Sequence, residues 1–238
     1  MTDTLIVQLI PPISGAGADD DEHNTIDCAA QWLHLSSEAT PETSNLETGE
    51  LSGLLLEPPE DCRWIVLIPG EDVLTTTVNL PRKRRRQALQ ALPFMLEDCI
   101  ASDVTQEHLA VGPENTEGET LVAITRKQQL RDLLQTFADA GISPFMILPD
   151  YAMLQENPDT CQILLSGDRA MVRCPDSTGF STPISRLALL LNTEQDSESG
   201  SITRSVQWIR SADTSVPVLP DDWQINEQLV DDPLQYLA

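Results

Sequence analysis

Five consecutive basic residues, Arg82-Lys83-Arg84-Arg85-Arg86, are the sharpest chemical feature of this 238-residue chain. The chain carries 14 Lys+Arg against 38 Asp+Glu, a formal charge of −24, so the run concentrates 5 of its 14 cations. Clustered charge dominates the field within a Debye length of about 8–10 Å, which makes all five residues a candidate face for an acidic partner. The other reading is a solvated helix start whose arginines pair with the chain's own acidic loops. The run is not there to stabilise a helix, because cations at an N-terminus oppose the helix dipole. Nucleic acid fits poorly, since phosphate binding needs a cationic surface that releases counterions and this chain is strongly acidic. The same balance disfavours docking on anionic lipid.

Other chemistry finds little support. No Gly-x-x-x-x-Gly-Lys-Ser/Thr occurs, and no Gly-x-Gly-x-x-Gly follows a strand. Gly15-Ala16-Gly17 comes nearest, but Asp19, Asp20, Asp21 and Glu22 follow at once and would repel a phosphate. His23, His34 and His108 are far apart in sequence, and none has metal-ligand spacing to a cysteine. The acidic run lacks the alternating ligands and central glycine of a calcium loop. Ser166-Gly167-Asp168 reads as a turn rather than a nucleophile elbow. The expectation is therefore a non-enzyme, with no catalytic residue, no cofactor, no metal and no small-molecule substrate.

The longest aliphatic runs, 64–68 and 187–191, fall far short of the ~20 residues that span a bilayer. Met1-Thr2-Asp3-Thr4-Leu5 has no basic n-region and does not read as a signal peptide. Cys28, Cys62, Cys99, Cys161 and Cys174 are odd in number and scattered, and read as reduced, mostly buried thiols of a cytoplasmic protein.

The elements that must position these residues are short. Strands are expected at 5–10, 28–35 and 51–56, with an acidic loop at 14–22 and an irregular excursion at 36–50. Trp64–Ile68 and Val73–Leu80 flank Pro69-Gly70-Glu71-Asp72 and read as a β-hairpin. Pro81 opens a helix in which Ala88, Leu92, Met95 and Cys99 recur at helical spacing and Pro93 imposes a kink or break. Strands at 108–111 and 121–124 surround a turn at 112–115. Thr125-Arg126-Lys127-Gln128 has capping-box spacing ahead of Leu130, Leu133, Leu134, Phe137 and Ala138, with Gly141 past the end. Further strands are expected at 145–148, 161–165, 170–174 and 202–209, the two middle ones as a hairpin. A buried helix is expected at 187–191, a serine-rich acidic segment at 192–201 and mostly irregular chain at 211–238. No internal repeat recurs at a fixed period. The class is β-rich α/β.

Ile68-Pro69-Gly70-Glu71-Asp72-Val73, Leu80-Pro81, the basic run and Leu92-Pro93-Phe94-Met95-Leu96-Glu97-Asp98 stand in an order that resembles a known family. So do Leu121–Arg126, Ala140–Pro144, Leu148-Pro149-Asp150 and Gly167–Arg173. The resemblance is to the cytoplasmic region of the L component of the type II secretion system (GspL/EpsL family), and is best over residues 64–175. It implies an actin-like ATPase (RNase H-like) fold with an inserted subdomain. The corresponding organisation is a first lobe at 1–75 and 142–158, an inserted βαββα subdomain at 76–141, and a second lobe with an acidic C-terminal segment at 159–238. It further implies a non-enzymatic adaptor at the cytoplasmic face of the inner membrane. That adaptor would recruit the secretion ATPase through the ATPase's N-terminal domain, contact other inner-membrane platform proteins and form a homodimer. In the family a membrane helix and a periplasmic domain follow. Neither Gln8–Pro12 nor Leu165–Arg169 offers the tandem glycine amides, with a metal-binding Asp ahead of them, of an actin-like phosphate loop. The alternative is a nucleotide-binding actin-like ATPase, or a filament or adaptor protein of pilus assembly.

Overall fold

Burial along the first strand sets the layering. β1 (Asp3–Ile10) is apolar on both faces: Leu5, Val7 and Leu9 enter one core, while Ile6 enters another. A strand buried on both sides needs cover on both sides, and this chain supplies it with helices on one face and a second sheet on the other. The computed structural model describes residues 3–11, 28–36, 46–59, 61–81, 83, 85–115, 117–193, 204–214, 216–217 and 223–237.

After β1 come β2 (Ala29–Leu35), β3 (Leu46–Glu50), α1 (Leu51–Leu56), β4 (Cys62–Ile68), β5 (Leu74–Val78) and α2 (Arg85–Leu96). β6 (Glu107–Glu114), β7 (Thr120–Arg126), α3 (Lys127–Asp139) and β8 (Met146–Pro149) follow. The chain then forms β9 (Cys161–Ser166), β10 (Arg169–Arg173), β11 (Gly179–Pro183), α4 (Ile184–Thr193), β12 (Arg204–Arg210), β13 (Trp223–Leu229) and α5 (Pro233–Leu237). One sheet has the order β3-β2-β1-β4-β8 and a second the order β11-β10-β9-β12-β13. In each, three antiparallel strands are extended by two parallel ones, so the topology is duplicated. A third, antiparallel sheet, β5-β7-β6, leaves the first sheet after β4 and returns to it through α3 and β8.

The two large sheets face each other across one core. Ile6, Leu33 and Leu67 meet Leu164, Met171 and Ile209, with Tyr151, Leu154, Leu234 and Leu237 between them. Within the same layer the Gln8 amide donates to the Met171 sulfur at 3.5 Å. On the outer face of the first sheet, Leu51 and Leu54 of α1 and Leu133 and Phe137 of α3 cover Leu5, Val7 and Trp64. There the Trp64 and Phe137 rings meet edge to face at 5.9 Å. On the outer face of the second sheet, Leu187 and Leu191 of α4 cover Ile163, Val206 and Trp208. Each fully buried aliphatic or aromatic side chain contributes roughly 1.5–3 kcal/mol.

Several expectations from sequence are corrected. Residues 51–56 form a helix, not a strand, and 46–50 form an edge strand rather than irregular chain. The expected hairpin at 64–80 does not exist: β4 lies between β1 and β8, parallel to both, while β5 pairs with β7. A continuously apolar strand gains more from central, parallel placement, and a 3-10 turn at Gly70–Asp72 turns the chain away. Of the expected 112–115 turn, residues 112–114 lie inside β6, whose register shifts between Val111 and Glu114, and the chain turns after it, where the Gly118 amide donates to the Asn115 carbonyl. Chain at 179–183 and 223–237 is also ordered, as β11, β13 and α5.

α2 begins at Arg85, and Pro93 sits inside it without ending it. Its buried side chains are Leu92 and Leu96, with Ala88 packed partly beside them; Met95 and Cys99 are exposed. α3 has no side-chain cap, because Thr125 belongs to β7 and donates its hydroxyl to the Asp72 carbonyl at 3.0 Å. Of its expected apolar stripe, Leu133 and Phe137 are buried and Leu134 is exposed. α4 buries Leu187 and Leu191 but leaves Leu189 exposed. Of the five cysteines only Cys174 is buried, so the thiols are not mostly interior. The loop at 14–22, residues 37–45 and the 194–201 segment lie outside the described residues. Among the described residues no helix is long and apolar enough to cross a membrane.

Candidate functional site

β4 and β8 are neighbouring parallel strands, and their last paired residues are Ile68 and Pro149. In open α/β sheets the crevice beyond the carboxyl ends of parallel strands is where ligands bind. Here the next residues along the two strands, Pro69-Gly70-Glu71 and Asp150-Tyr151, converge there with β10 and β11 of the second sheet.

Asp150 is completely buried, yet its carboxylate is saturated with donors. Oδ1 accepts from the Gly70 amide at 3.1 Å, the Tyr151 amide at 2.8 Å and the Ser181 hydroxyl at 2.5 Å. Oδ2 accepts from Nη2 of Arg169 at 2.9 Å. Arg169 also grips Glu71, donating from Nε at 3.0 Å and from Nη2 at 2.5 Å. Burial pushes the Asp150 carboxyl upward, while Arg169 and the Ser181 hydroxyl pull it down. The Arg169 guanidinium is held in its charged form by the Glu71 bonds and the Asp150 charge, against the cost of its own burial.

Beside this pair the Tyr151 ring is wedged between two glycines. A Cβ on Gly70 would lie 2.6 Å from the ring, and one on Gly179 would lie 2.5 Å from it and 2.3 Å from the Val172 carbonyl. The phenol donates to Oγ1 of Thr75 at 3.1 Å; that hydroxyl also accepts from the Gly179 amide at 2.9 Å and donates to the Gly179 carbonyl at 3.0 Å. One hydroxyl hydrogen and two lone pairs are thus all used. Thr75 lies on the edge of the small sheet and Gly179 on the edge of the second, so this knot ties all three sheets. Burial raises the Tyr151 phenol far above its ordinary range. The arrangement fixes orientation: an anion entering here would have to displace Arg169 and face Glu71 and Asp150. Sequence offered no direct sign of it, because Gly70, Thr75, Asp150, Arg169 and Ser181 are distant in the chain.

The basic run sits elsewhere, at the start of α2 on the small sheet. Arg82 and Arg84 lie outside the described residues; Lys83 and Arg86 are exposed. Arg85 donates to Glu114 Oε1 of β6 at 3.3 Å. Beside α2 runs a groove of about 570 Å³ lined by Leu89, Pro93, Val104, Leu109, Val111 and Lys127, among others.

One cluster escaped the spacing argument. His34 of β2 and Cys62 of β4 flank Asp3 of β1, placing His34 Nε2 3.2 Å from the Cys62 sulfur and 3.5 Å from Asp3 Oδ2. Burial first, then the charges of Asp3 and Asp61, raise the Cys62 thiol, which keeps it protonated at neutral pH. Both contacts also converge on one ring nitrogen, so this is not the relay of an activated nucleophile. Among the described residues no group of three or more His, Cys, Asp or Glu is placed to hold a metal ion.

The family model for type II secretion system protein L matches residues 24–231. A type II secretion system protein L of Dickeya chrysanthemi is 43% identical over 89 residues, which is 37% of this chain and 22% of that protein. The matched part is thus well under half of the relative's length. The fold superimposes on the cytoplasmic domain of EpsL, an inner membrane component of the type II secretion system of Vibrio cholerae. The TM-score is 0.74 at 21% identity, covering 99% of this chain and 93% of that one. It is also similar to the PilM–PilN type IV pilus biogenesis complex, with a TM-score of 0.56 at 10% identity over 86% of this chain and 81% of that one. A Bacteroides thetaiotaomicron protein with an actin-like ATPase fold gives 0.50 at 10% identity, covering 99% and 95%. The duplicated sheets are therefore the two lobes of an actin-like fold.

Proposed function

Because this chain belongs to the type II secretion system protein L family, we propose that it is a non-enzymatic adaptor of the inner-membrane secretion platform, working at the cytoplasmic face. Its task is to hold the cytoplasmic secretion ATPase by that protein's N-terminal domain and to pass orientation or force through protein contacts. The observation that carries this reading is the buried Asp150–Arg169 pair in the crevice between the lobes, which is stitched to Glu71, Ser181 and Gly70. A cleft that must open and close around a nucleotide is poorly served by such a clamp, whereas a rigid coupling element is well served by it.

The body of the adaptor is then the first lobe (1–75 and 142–158, less Leu74 and Thr75, which β5 carries into the small sheet) together with the second (159–238), and the inserted unit at 76–141 carries the basic run. Lys83, Arg85 and Arg86, with Arg82 and Arg84 beside them in sequence, form a cationic rim on an acidic protein. Charge of this kind steers encounter and selects partners more than it adds affinity. Homodimerisation and contacts with other platform proteins belong to the same reading. The PilM–PilN complex, in which a protein of this fold is assembled with another chain, supports partner binding as a use of the scaffold.

The test is titration calorimetry with the N-terminal domain of the cognate secretion ATPase at moderate salt. A saturable complex that weakens when Arg85 and Arg86 become Ala is expected; absence of a complex overturns the adaptor reading. The competing ATPase reading predicts a raised melting temperature with ATP and Mg²⁺, since a ligand at 100 times its dissociation constant adds about 2.7 kcal/mol. The clamp predicts a flat response.

A further inference from the structure

We propose that the groove beside α2 on the small sheet receives one amphipathic helix from another protein, with the helix's acidic end lying over Arg85 and Arg86. The proposal does not depend on which protein supplies that helix, so it stands apart from the ATPase assignment above.

The groove follows from widths. Three strands about 4.8 Å apart make a sheet roughly 14 Å across, while a helix with its side chains covers only about 10 Å. α2 is seated over β5 and β7: Leu92 and Leu96 bury Val78, Val122 and Ile124. That leaves the same face of β6 only partly covered: Leu109 packs partly against the α2 cluster, and Val111 is left exposed. Along β6, Glu107, Leu109 and Val111 share the face that α2 packs on, and exposure rises outward until Val111 is 39% exposed. Opposite them, Arg85, Leu89 and Pro93 recur at intervals of four along α2, and Leu89 is 37% exposed. Val104 and Lys127 close the far end, where Lys127 Nζ donates to the Thr105 carbonyl at 2.6 Å. The trough is lined mainly by apolar side chains, with Thr105 and Glu107 among them, and a second helix packed about 8–10 Å from the axis of α2 would lie over β6 and its outer edge.

Charge chooses the occupant. At one end stand Arg85, exposed Arg86 and exposed Lys83; Arg85 is already anchored to Glu114 and so points toward β6. At the other end are the exposed Glu97, Asp98 and Asp103, partly offset by Lys127. A helix acidic throughout would be repelled at that end, and a basic one would be repelled at the first. A helix with an apolar stripe, acidic residues at one end and neutral or basic residues at the other matches both.

The probes are two synthetic helices with the same leucine stripe, one carrying three Glu at one end and the other three Lys at those positions. Binding to the full chain is followed by NMR. We expect the Glu peptide to shift the amides of Leu89, Leu109 and Val111 and to bind at least tenfold more tightly than the Lys peptide. Val111→Asp should abolish that binding and Arg85→Ala/Arg86→Ala should weaken it severalfold. Leu134→Asp, an exposed change on α3, should leave it intact. The proposal is overturned if the peptides bind equally, if neither binds, or if Val111→Asp binds like the parent. It also fails if the chain alone sediments as a dimer that Val111→Asp dissociates, because a second copy would then fill the groove. If Val111→Asp does not fold, Val111→Thr and the mapped shifts decide.

Discussion

The Asp150 carboxylate and the Arg169 guanidinium meet at 2.9 Å across the boundary between the two lobes; Asp150 is held on its own side by the Tyr151 amide, and Arg169 crosses the boundary a second time to grip Glu71. An isolated buried pair is a poor source of stability, because desolvation offsets attraction. Once built, however, it is costly to break from one side. Asp150→Ala and Arg169→Ala should each lose about 3–5 kcal/mol, and the double variant should lose at least 1 kcal/mol less than the sum. Urea denaturation of all four proteins measures this; strict additivity would mean that the two groups do not act together.

The glycines separate by what surrounds them. Gly179→Ala drives a methyl against the Val172 carbonyl and the Tyr151 ring, neither of which can swing aside, so a loss of roughly 1–3 kcal/mol is expected. Gly53 lies inside α1, and a methyl added there would meet nothing within 4 Å, so Gly53→Ala should stabilise by about 0.5–1 kcal/mol. Thermal melts of opposite sign check the pair.

Asp103 supplies a pH dependence of defined sign. Its carboxylate accepts from the Thr105 amide at 2.9 Å and hydroxyl at 2.8 Å, and these two bonds lower its pKa. A carboxyl depressed in the folded state contributes stability above its unfolded pKa of about 3.9, and loses it as the pH falls through the folded value. An NMR titration should place the Asp103 midpoint below the ordinary Asp range, and Thr105→Ala should move it upward. A midpoint unchanged by that substitution would show that the hydroxyl has no part in it.

Thiol chemistry should follow exposure and charge. Cys99 is exposed and should alkylate first; Cys174 is buried and should react last. Cys62 is half-exposed but its thiol is raised by burial, Asp3 and Asp61, so it should lag behind its accessibility, since the thiolate is the reacting species. Peptide mapping after timed iodoacetamide treatment gives the order, and Cys62 labelling as fast as Cys99 would contradict it.

What sequence could deliver was local. The β9–β10 hairpin followed from two apolar runs around Ser166-Gly167-Asp168-Arg169, with Gly167 at φ +60° in the turn. α3 followed from helical spacing, ending where Gly141 takes φ +74°. Partner choice between strands was not local, so β4 and β5 were paired with each other when their partners lie in different sheets. Leu51–Leu56 misled because a short apolar run has no period of its own. The basic run was legible from composition alone. The Asp150–Arg169 pair was not, since a charge that will be buried looks like any other until the residues burying it are known.

β4 and β8 lie side by side although the whole small sheet is threaded between them. The points where the chain departs from the first lobe and rejoins it are therefore close together, and lengthening or exchanging what hangs between them adds little closure entropy. A fold wired this way can exchange the inserted unit without re-threading its frame: selection can rewrite the small sheet while the two lobes keep their geometry.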